Sequence, residues 1–379
     1  MSLAAEVQLP ADLVDPREQP RAAAPERALL TGATGFLGAY VLDEVLRRTS
    51  AEVVCLVRAA DASEGLERIR ANLAHYELEV PWERVRVLAG SLEEPQLGLE
   101  ESAYRRLAEE TDCLYHVAAN VNFLPTYEKL KSANVGGLLA MLRLAACGVA
   151  KPIHHVSTYS VFNAADYHGC GLAGEQPLEG EGEGFRRGYP ASKWVAERVG
   201  DLARARGWSI ASYRAGLLTG DQRHGRGKDD MLSLNLAACR ELGVAQDLDF
   251  LLHFTPVDYA AAALVEISRG AAQGHYHLVT ERPIGWRPLL DWLESRGERI
   301  RRVNPLEWYD LFKSRARGRA DWMALLFLLS QDPTRTFWND ANVYSMQFEA
   351  TRVRAALAGT GVECPPLEDA LLELYFKPG

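Results

Sequence analysis

Tyr189 and Lys193 stand four positions apart in the run Tyr189-Pro190-Ala191-Ser192-Lys193. That spacing is one helical turn, so both side chains leave the same face of a helix, and Pro190 suits an early helical position. A lysine ammonium beside a phenol stabilises the phenolate and lowers its pKa from about 10, which makes Tyr189 a usable proton donor. Lys193 can also hold a ribose. Well upstream, Thr31-Gly32-Ala33-Thr34-Gly35-Phe36-Leu37-Gly38 follows the apolar run Ala28-Leu29-Leu30. Gly32 permits a tight turn, Gly35 lets backbone approach a pyrophosphate, and Gly38 lets a helix pack close to the strand, while the helix N-terminus offers free N–H groups to the anion. Each motif recurs by chance when alone. Their order and separation point to a bound dinucleotide and redox chemistry assisted by a Tyr/Lys pair.

The elements around these motifs must place them at one edge of a sheet. Residues 27–30 read as a strand, and Phe36, Leu37, Tyr40, Val41, Val45 and Leu46 recur at helical spacing behind the glycine turn. Residues 53–57 are a buried parallel strand ending in Arg58, where an NAD-binding fold places Asp or Glu. A guanidinium there pairs with a ribose 2′-phosphate, which favours NADP; Arg68 can assist, and Asp61 stands nearby. Further strands fit at residues 85–89, 113–118 and 153–157, with helical stretches at 104–110 and 135–147 between them. Alternation of this kind gives an α/β fold, a Rossmann-type doubly wound parallel sheet. Ligands bind at the carboxyl ends of its strands, where His116-Val117-Ala118-Ala119-Asn120 and Val156-Ser157-Thr158 both fall. Ser157, Thr158 and Ser160 all offer a hydroxyl for a second hydrogen bond to a substrate oxygen.

With 379 residues, 47% of them hydrophobic, the chain can build one large α/β unit with a smaller lobe. A net charge of −9 provides no basic footprint for nucleic acid. Six scattered cysteines without metal-ligand spacing read as reduced thiols, and the longest apolar stretch, residues 322–329, falls far short of the roughly 20 residues needed to span a bilayer. The expectation is a cytoplasmic protein. Proline-rich residues 1–26 read as a linker or leader and 27–280 as the NADP-binding domain, with a substrate-lobe insertion near 221–255. Residues 281–379 then read as a smaller, mainly helical substrate-binding cap, with Trp286, Trp292, Trp308 and the 322–329 stretch offering apolar surface. His154-His155 and His275/His277 lie in strand-like stretches and read as structural, with no metal site expected.

The glycine turn, the Ser/Thr and the Tyr-x-x-x-Lys together resemble the extended short-chain dehydrogenase/reductase superfamily. Within it the chain is similar to the terminal thioester reductase domains of nonribosomal peptide and polyketide synthetases and to the reductase domains of carboxylic acid reductases. The segments carrying this are residues 31–38, 56–58, Gly90-Ser91-Leu92, Pro95, Leu97-Gly98-Leu99, residues 115–122, Ala133-Asn134-Val135-Gly136, residues 156–158 and 189–193, and Tyr213-Arg214-Ala215-Gly216 with Gly220. Asp15-Pro16 is similar to the segment by which such domains leave their carrier linker. The resemblance selects Thr158 among the three hydroxyls and implies a catalytic set of Thr158, Tyr189 and Lys193. It implies NADPH held by Thr31, Gly32, Thr34, Gly35, Phe36, Leu37, Gly38, Arg58, Arg68, Ser91, Leu92, Ala118 and Asn120, with Tyr189 and Lys193. Ser91 departs from the Asp usual near the adenine, and Gly137 from the usual Thr. The implied reaction is reductive release of an acyl or peptidyl thioester from the phosphopantetheine arm of a carrier protein, as aldehyde or onward as alcohol, by a monomer when excised. Lys313, Arg315, Arg317 and Arg319 would then dock the acidic carrier. Competing readings are a free acyl-CoA reductase, a sugar-nucleotide epimerase or dehydratase, and a non-catalytic NADP-binding scaffold.

Overall fold

Short apolar runs rich in Val, Leu and Ile alternate with amphipathic stretches, and such runs pair most stably when both faces are covered by helices. In the computed structural model, which describes residues 2–13, 26–148, 150–228, 230–270, 272–330 and 342–376, seven of them form one sheet. The strands are β1 (Arg27–Thr31), β2 (Glu52–Val57), β3 (Val85–Ala89), β4 (Cys113–His116), β5 (Ile153–Thr158), β6 (Ile210–Ala215) and β7 (Gly274–Leu278). All pairings are parallel, in the order β7-β6-β5-β4-β1-β2-β3. The chain winds outward from β1 through β2 to β3, then crosses back to place β4 on the other side of β1. The strand order therefore reverses between β1 and β4, which opens a crevice beyond their carboxyl ends.

Helices cover both faces. The connections supply α1 (Phe36–Arg48), α2 (Ala62–His75), α3 (Glu101–Glu110), α4 (Tyr127–Lys131), α5 (Gly137–Ala146) and α6 (Gly188–Ala205). After β6 come α7 (Met231–Leu242) and α8 (Val257–Ser268). Val41, Val45, Ile69, Leu73, Leu264 and Val265 of α1, α2 and α8 fill one core, and Leu107, Met141, Leu142, Trp194 and Val199 of α3, α5 and α6 fill the other. β4 ends at His116 instead of continuing to residue 118 as predicted. Ala118 N–H donates to the Thr31 hydroxyl at 3.2 Å, so Val117 and Ala118 turn away from the ladder to meet the glycine turn. A single π-helical turn, Ser132–Gly136, joins α4 to α5.

A third core belongs to the smaller lobe, built from α7, α9 (Trp286–Ser295), α10 (Pro305–Ala316), α11 (Ala320–Ser330) and, beyond α12 (Thr351–Leu357), α13 (Asp369–Phe376). Its aromatics mostly pack on one another: Trp308 stacks on Phe312 and Phe312 on Trp322, ring centroids 5.0 Å apart in both cases. Trp286 and Trp308 donate their indole N–H groups to the carbonyls of Gln246 and Val244. These side chains are thus the interior of the lobe, and Trp292 is half-buried with its N–H on Asp369. One part of the expected cap lies elsewhere: Gln347–Phe348 pairs with Leu172–Ala173, and Val353 and Leu357 of α12 join the core beside β7 and α8. Residues 2–13 of the leader rest on the α/β unit, with Leu3 buried and Glu6 paired to Lys131. Asp15-Pro16 lies outside the described residues. Among the described residues no helix is long and apolar enough to cross a membrane.

Candidate active site

The glycine turn lies in the β1/β4 crevice. Gly32 has φ +88°, and a Cβ there would stand 2.7 Å from Ala118 N, so both the backbone conformation and the close approach require glycine. A Cβ on Gly38 would stand 1.9 Å from Gly32 O, so α1 can approach the turn this closely only without a side chain. Gly35 N–H donates back to Gly32 O at 2.9 Å, and Gly35 caps α1 with no side-chain acceptor on the first N–H groups. Asn72 of α2 holds the turn from behind, donating to the carbonyls of Ala33 and Gly35. This cradle of bare backbone at a helix N-terminus fits a pyrophosphate.

Two cavities meet at the turn and share Gly32, Thr34, Ala118, Ala119 and Val121. One, of about 500 Å³, is lined by Thr31, Arg58, Arg68, Ser91, Leu92 and Asn120, the residues expected around an adenosine. Arg58 is exposed at its rim, 3.8 Å from Glu93, and Arg68 donates to the Arg58 carbonyl. Asp61 points elsewhere, capping α2 through Glu64 N–H at 2.9 Å. The Thr31 hydroxyl is occupied in bracing the strand ends, 3.0 Å from His116 Nδ1.

The other cavity, of about 400 Å³, begins at Gly35, Phe36, Leu37 and Gly38 and runs past Thr158 and Tyr189 to Leu217, Met231, Leu232 and Tyr344 at the smaller lobe. Thr158 ends β5, and Tyr189 opens α6. All three candidate hydroxyls border this cavity with Tyr189, and Thr158 is the one that favours the Tyr189 phenolate electrostatically. Ser160 in turn lies 2.9 Å from Thr158 Oγ1, and the buried Ser157 hydroxyl has no partner among the described residues. Phe123 meets the Tyr189 ring edge to face, centroids 5.4 Å apart.

The structure differs from the sequence reading in how Lys193 relates to the phenol. Burial pushes Tyr189 up to about 12, opposed by Thr158, with no pull from an ammonium beside it. Lys193 lines neither cavity; its Nζ lies 2.8 Å from His155 Nε2, and burial brings it down to about 7 against the pull of Glu197. The physical reason is that α6 lies against β5, so the position one turn after Tyr189 points into the sheet. Sequence reasoning also assigned no role to Asn134. Inside the π turn its side chain accepts from Asn120 N–H at 2.8 Å and donates to Asn120 O and, at 2.8 Å, to Ser192 Oγ, which donates to Tyr189 O. It ties the cofactor-side loop to the start of α6. A polar residue directly before the apolar helical pattern of 135–147 was its only signal.

Comparison with known proteins agrees with this geometry. A family model described as Male sterility protein, an NAD-binding domain, matches residues 30–264. The solved terminal R domain of the myxalamid polyketide synthase–nonribosomal peptide synthetase pathway is 34% identical, with a TM-score of 0.91 over 98% of this chain and 95% of that one. A linear gramicidin synthase of Brevibacillus parabrevis is 34% identical over 95% of this chain, and the isonitrile lipopeptide synthase of Streptomyces coeruleorubidus 33% identical over 99%. The chain spans 7% of the first of these proteins and 26% of the second. The family-model match over residues 30–264 and the near-complete overlap with a solved R domain place the chain in the Male sterility protein NAD-binding family, among its terminal reductase domains.

Proposed function

We propose that the protein is an NADPH-dependent thioester reductase that releases an acyl or peptidyl chain from the phosphopantetheine arm of a carrier protein. The observation that carries this reading is the Thr158–Tyr189 pair, which opens onto a cavity that starts at the glycine turn and ends on apolar side chains of a second lobe. NADPH is favoured over NADH because Arg58 and Arg68 border the adenosine-side cavity, where a 2′-phosphate would meet guanidinium groups, and Asp61 is engaged in a helix cap.

The bound dihydronicotinamide would supply hydride to the thioester carbonyl carbon. Thr158 and Tyr189 then donate hydrogen bonds to the oxygen as its negative charge develops, and Tyr189 gives up its proton to form a hemithioacetal. Breaking the C–S bond releases the carrier thiol and leaves an aldehyde; the hydroxyl proton of the hemithioacetal returns to the Tyr189 oxygen and the sulfur takes one from solvent. A second hydride and proton would take the aldehyde to a primary alcohol. Phe123, Leu217, Met231 and Leu232 give the acyl chain an apolar path and keep water from the carbonyl.

Lys313, Arg315 and Arg317 suit the carrier. They are exposed and without an ion pair among the described residues, at the end of α10 and in the turn before α11, whose Met323 and Phe327 are also exposed. Arg319 is engaged, on Glu241 at 3.0 Å and over the Trp322 ring. The test is NADPH oxidation with carrier-linked and CoA-linked acyl thioesters and mass spectrometry of the products. Aldehyde or alcohol from the carrier-linked substrate is expected; activity on a nucleotide sugar and none on either thioester would overturn the reading.

A further inference from the structure

His154 and His155 are neighbours in β5 and therefore point to opposite faces of the sheet. His154 lies against Tyr213, its Nδ1 2.9 Å from the phenol oxygen. His155 faces α6, where its Nε2 meets Lys193 Nζ at 2.8 Å, with both side chains buried. When Lys193 is an ammonium it can only donate, so Nε2 is then the acceptor and His155 carries its single proton on Nδ1, which has no partner among the described residues. Burial first, and then Lys193 and His116, hold the His155 imidazole neutral by pushing its pKa well down.

The groups facing this pair come from three elements, β4, α6 and β6. The His116 ring of β4 stacks on His155, centroids 5.6 Å apart and planes 18° from parallel. Glu197, one turn beyond Lys193 in α6, stays ionised despite burial because Arg214 of β6 donates to both its oxygens. Tyr189 stands one turn before Lys193, and Arg204 lies near the far end of α6.

We propose that His155 is a positioning residue that acts through Lys193. Its neutral Nε2 takes one of the three ammonium N–H groups and fixes the nitrogen beneath Tyr189, one turn before it in α6, so that the charge acts on the cofactor cavity from behind Tyr189 without lining it. The inference rests on the proposed reductase function for its meaning, but its test does not require turnover.

The comparison is His155→Gln, which keeps an acceptor oxygen on a side chain of similar length, against His155→Met, which matches that length without a strong acceptor. NADPH affinity is measured by cofactor fluorescence across a pH series, alongside kcat and KM. Loss of a charged hydrogen bond predicts roughly tenfold weaker NADPH binding in His155→Met, with His155→Gln within about threefold of wild type. In His155→Met the alkaline loss of binding should also move to lower pH, because the ammonium has lost its acceptor, and in His155→Gln it should stay in place. Wild-type affinity in His155→Met, or equal weakening in both variants with no pH shift, would overturn the proposal. If His155→Met shows no cooperative thermal transition, His155→Phe, which retains the ring over His116, takes its place with the same expectations. A wild type that binds NADPH with the predicted split but reduces no thioester would refute the function and leave the role of His155 standing.

Discussion

In the proposed reaction Tyr189 acts as a neutral acid: burial places its pKa at about 12, so at neutral pH the phenol arrives with its proton, beside the Thr158 hydroxyl on the same cavity. Tyr189→Phe keeps the ring against Phe123 and removes only the hydroxyl. It should lower kcat by about 10²–10⁴-fold with an unchanged thermal midpoint, read from NADPH oxidation and melting curves. Undiminished turnover would remove Tyr189 from the mechanism. Arg58 offers a second handle, because its side chain is exposed and only loosely paired with Glu93. Arg58→Ala should cut the kcat/KM preference for NADPH over NADH by about tenfold, the worth of one charged hydrogen bond, and an unaltered preference would contradict a 2′-phosphate contact. These residues were legible in the sequence because their chemistry is tied to short local spacings. His155 was not, since its partners His116 and Lys193 come from a neighbouring strand and a covering helix. A strand histidine facing inward looks the same in sequence whether it packs or positions.

Two glycines make opposite demands on their helices. Gly38 lets α1 pack against the turn, and a Cβ there would collide with Gly32 O. Gly38→Ala should therefore destabilise the fold by about 1–3 kcal/mol in chemical denaturation and weaken NADPH binding with it. Gly137, at φ −59° where π turn meets α5, has ordinary helical backbone, and a Cβ would meet the His116 ring at 3.4 Å, the near edge of ordinary van der Waals contact. Gly137→Ala should stabilise by about 0.8 kcal/mol, the helix-propensity difference, so the two variants must shift the denaturation midpoint in opposite directions. The first five strands could be read from apolar runs and intervening helical periods. β6 and β7 were harder, because residues of the smaller lobe interrupt the alternation between them and β7 is marked mainly by its two histidines. The π turn was invisible, as its sequence continues the apolar helical pattern and only the buried pairing of Asn134 selects the wider turn.

Five buried histidines, His116, His154, His155, His253 and His277, tie the stability of the whole fold to pH. Burial leads in depressing each one, His116 and His154 to about 3, His253 to about 4 and the other two well below the usual value. The unfolded chain binds protons near pH 6.5 while the folded chain does not, so the stability these groups support is complete above about 6.5 and is lost as pH falls toward the folded values. Each contributes a slope of up to about 1.4 kcal/mol per pH unit in that window. Urea midpoints at pH 7.5, 6 and 5 should fall steeply, and a flat series would contradict the neutral buried state. The basic run before α11 makes a separate prediction about the intact assembly. Reversing Lys313, Arg315 and Arg317 to Glu should raise KM for carrier-linked thioester several-fold in a salt-dependent way, as expected for charges at an interface rim, while leaving CoA-linked substrate unaffected. Equal effects on both substrates would take the patch out of carrier docking. The smaller lobe itself was legible as helical and aromatic, but its aromatics fill its own core, and the sequence carried no sign that residues 347–357 return to the α/β unit. The most direct test of the whole reading is to supply NADPH deuterated at the transferable C4 position together with a carrier-linked acyl thioester, and to follow the label by mass spectrometry. Deuterium at the former thioester carbon, one atom in an aldehyde or two in an alcohol, is the predicted result. NADPH consumed with no label in the released product, or thioester cleaved to the acid, would contradict it.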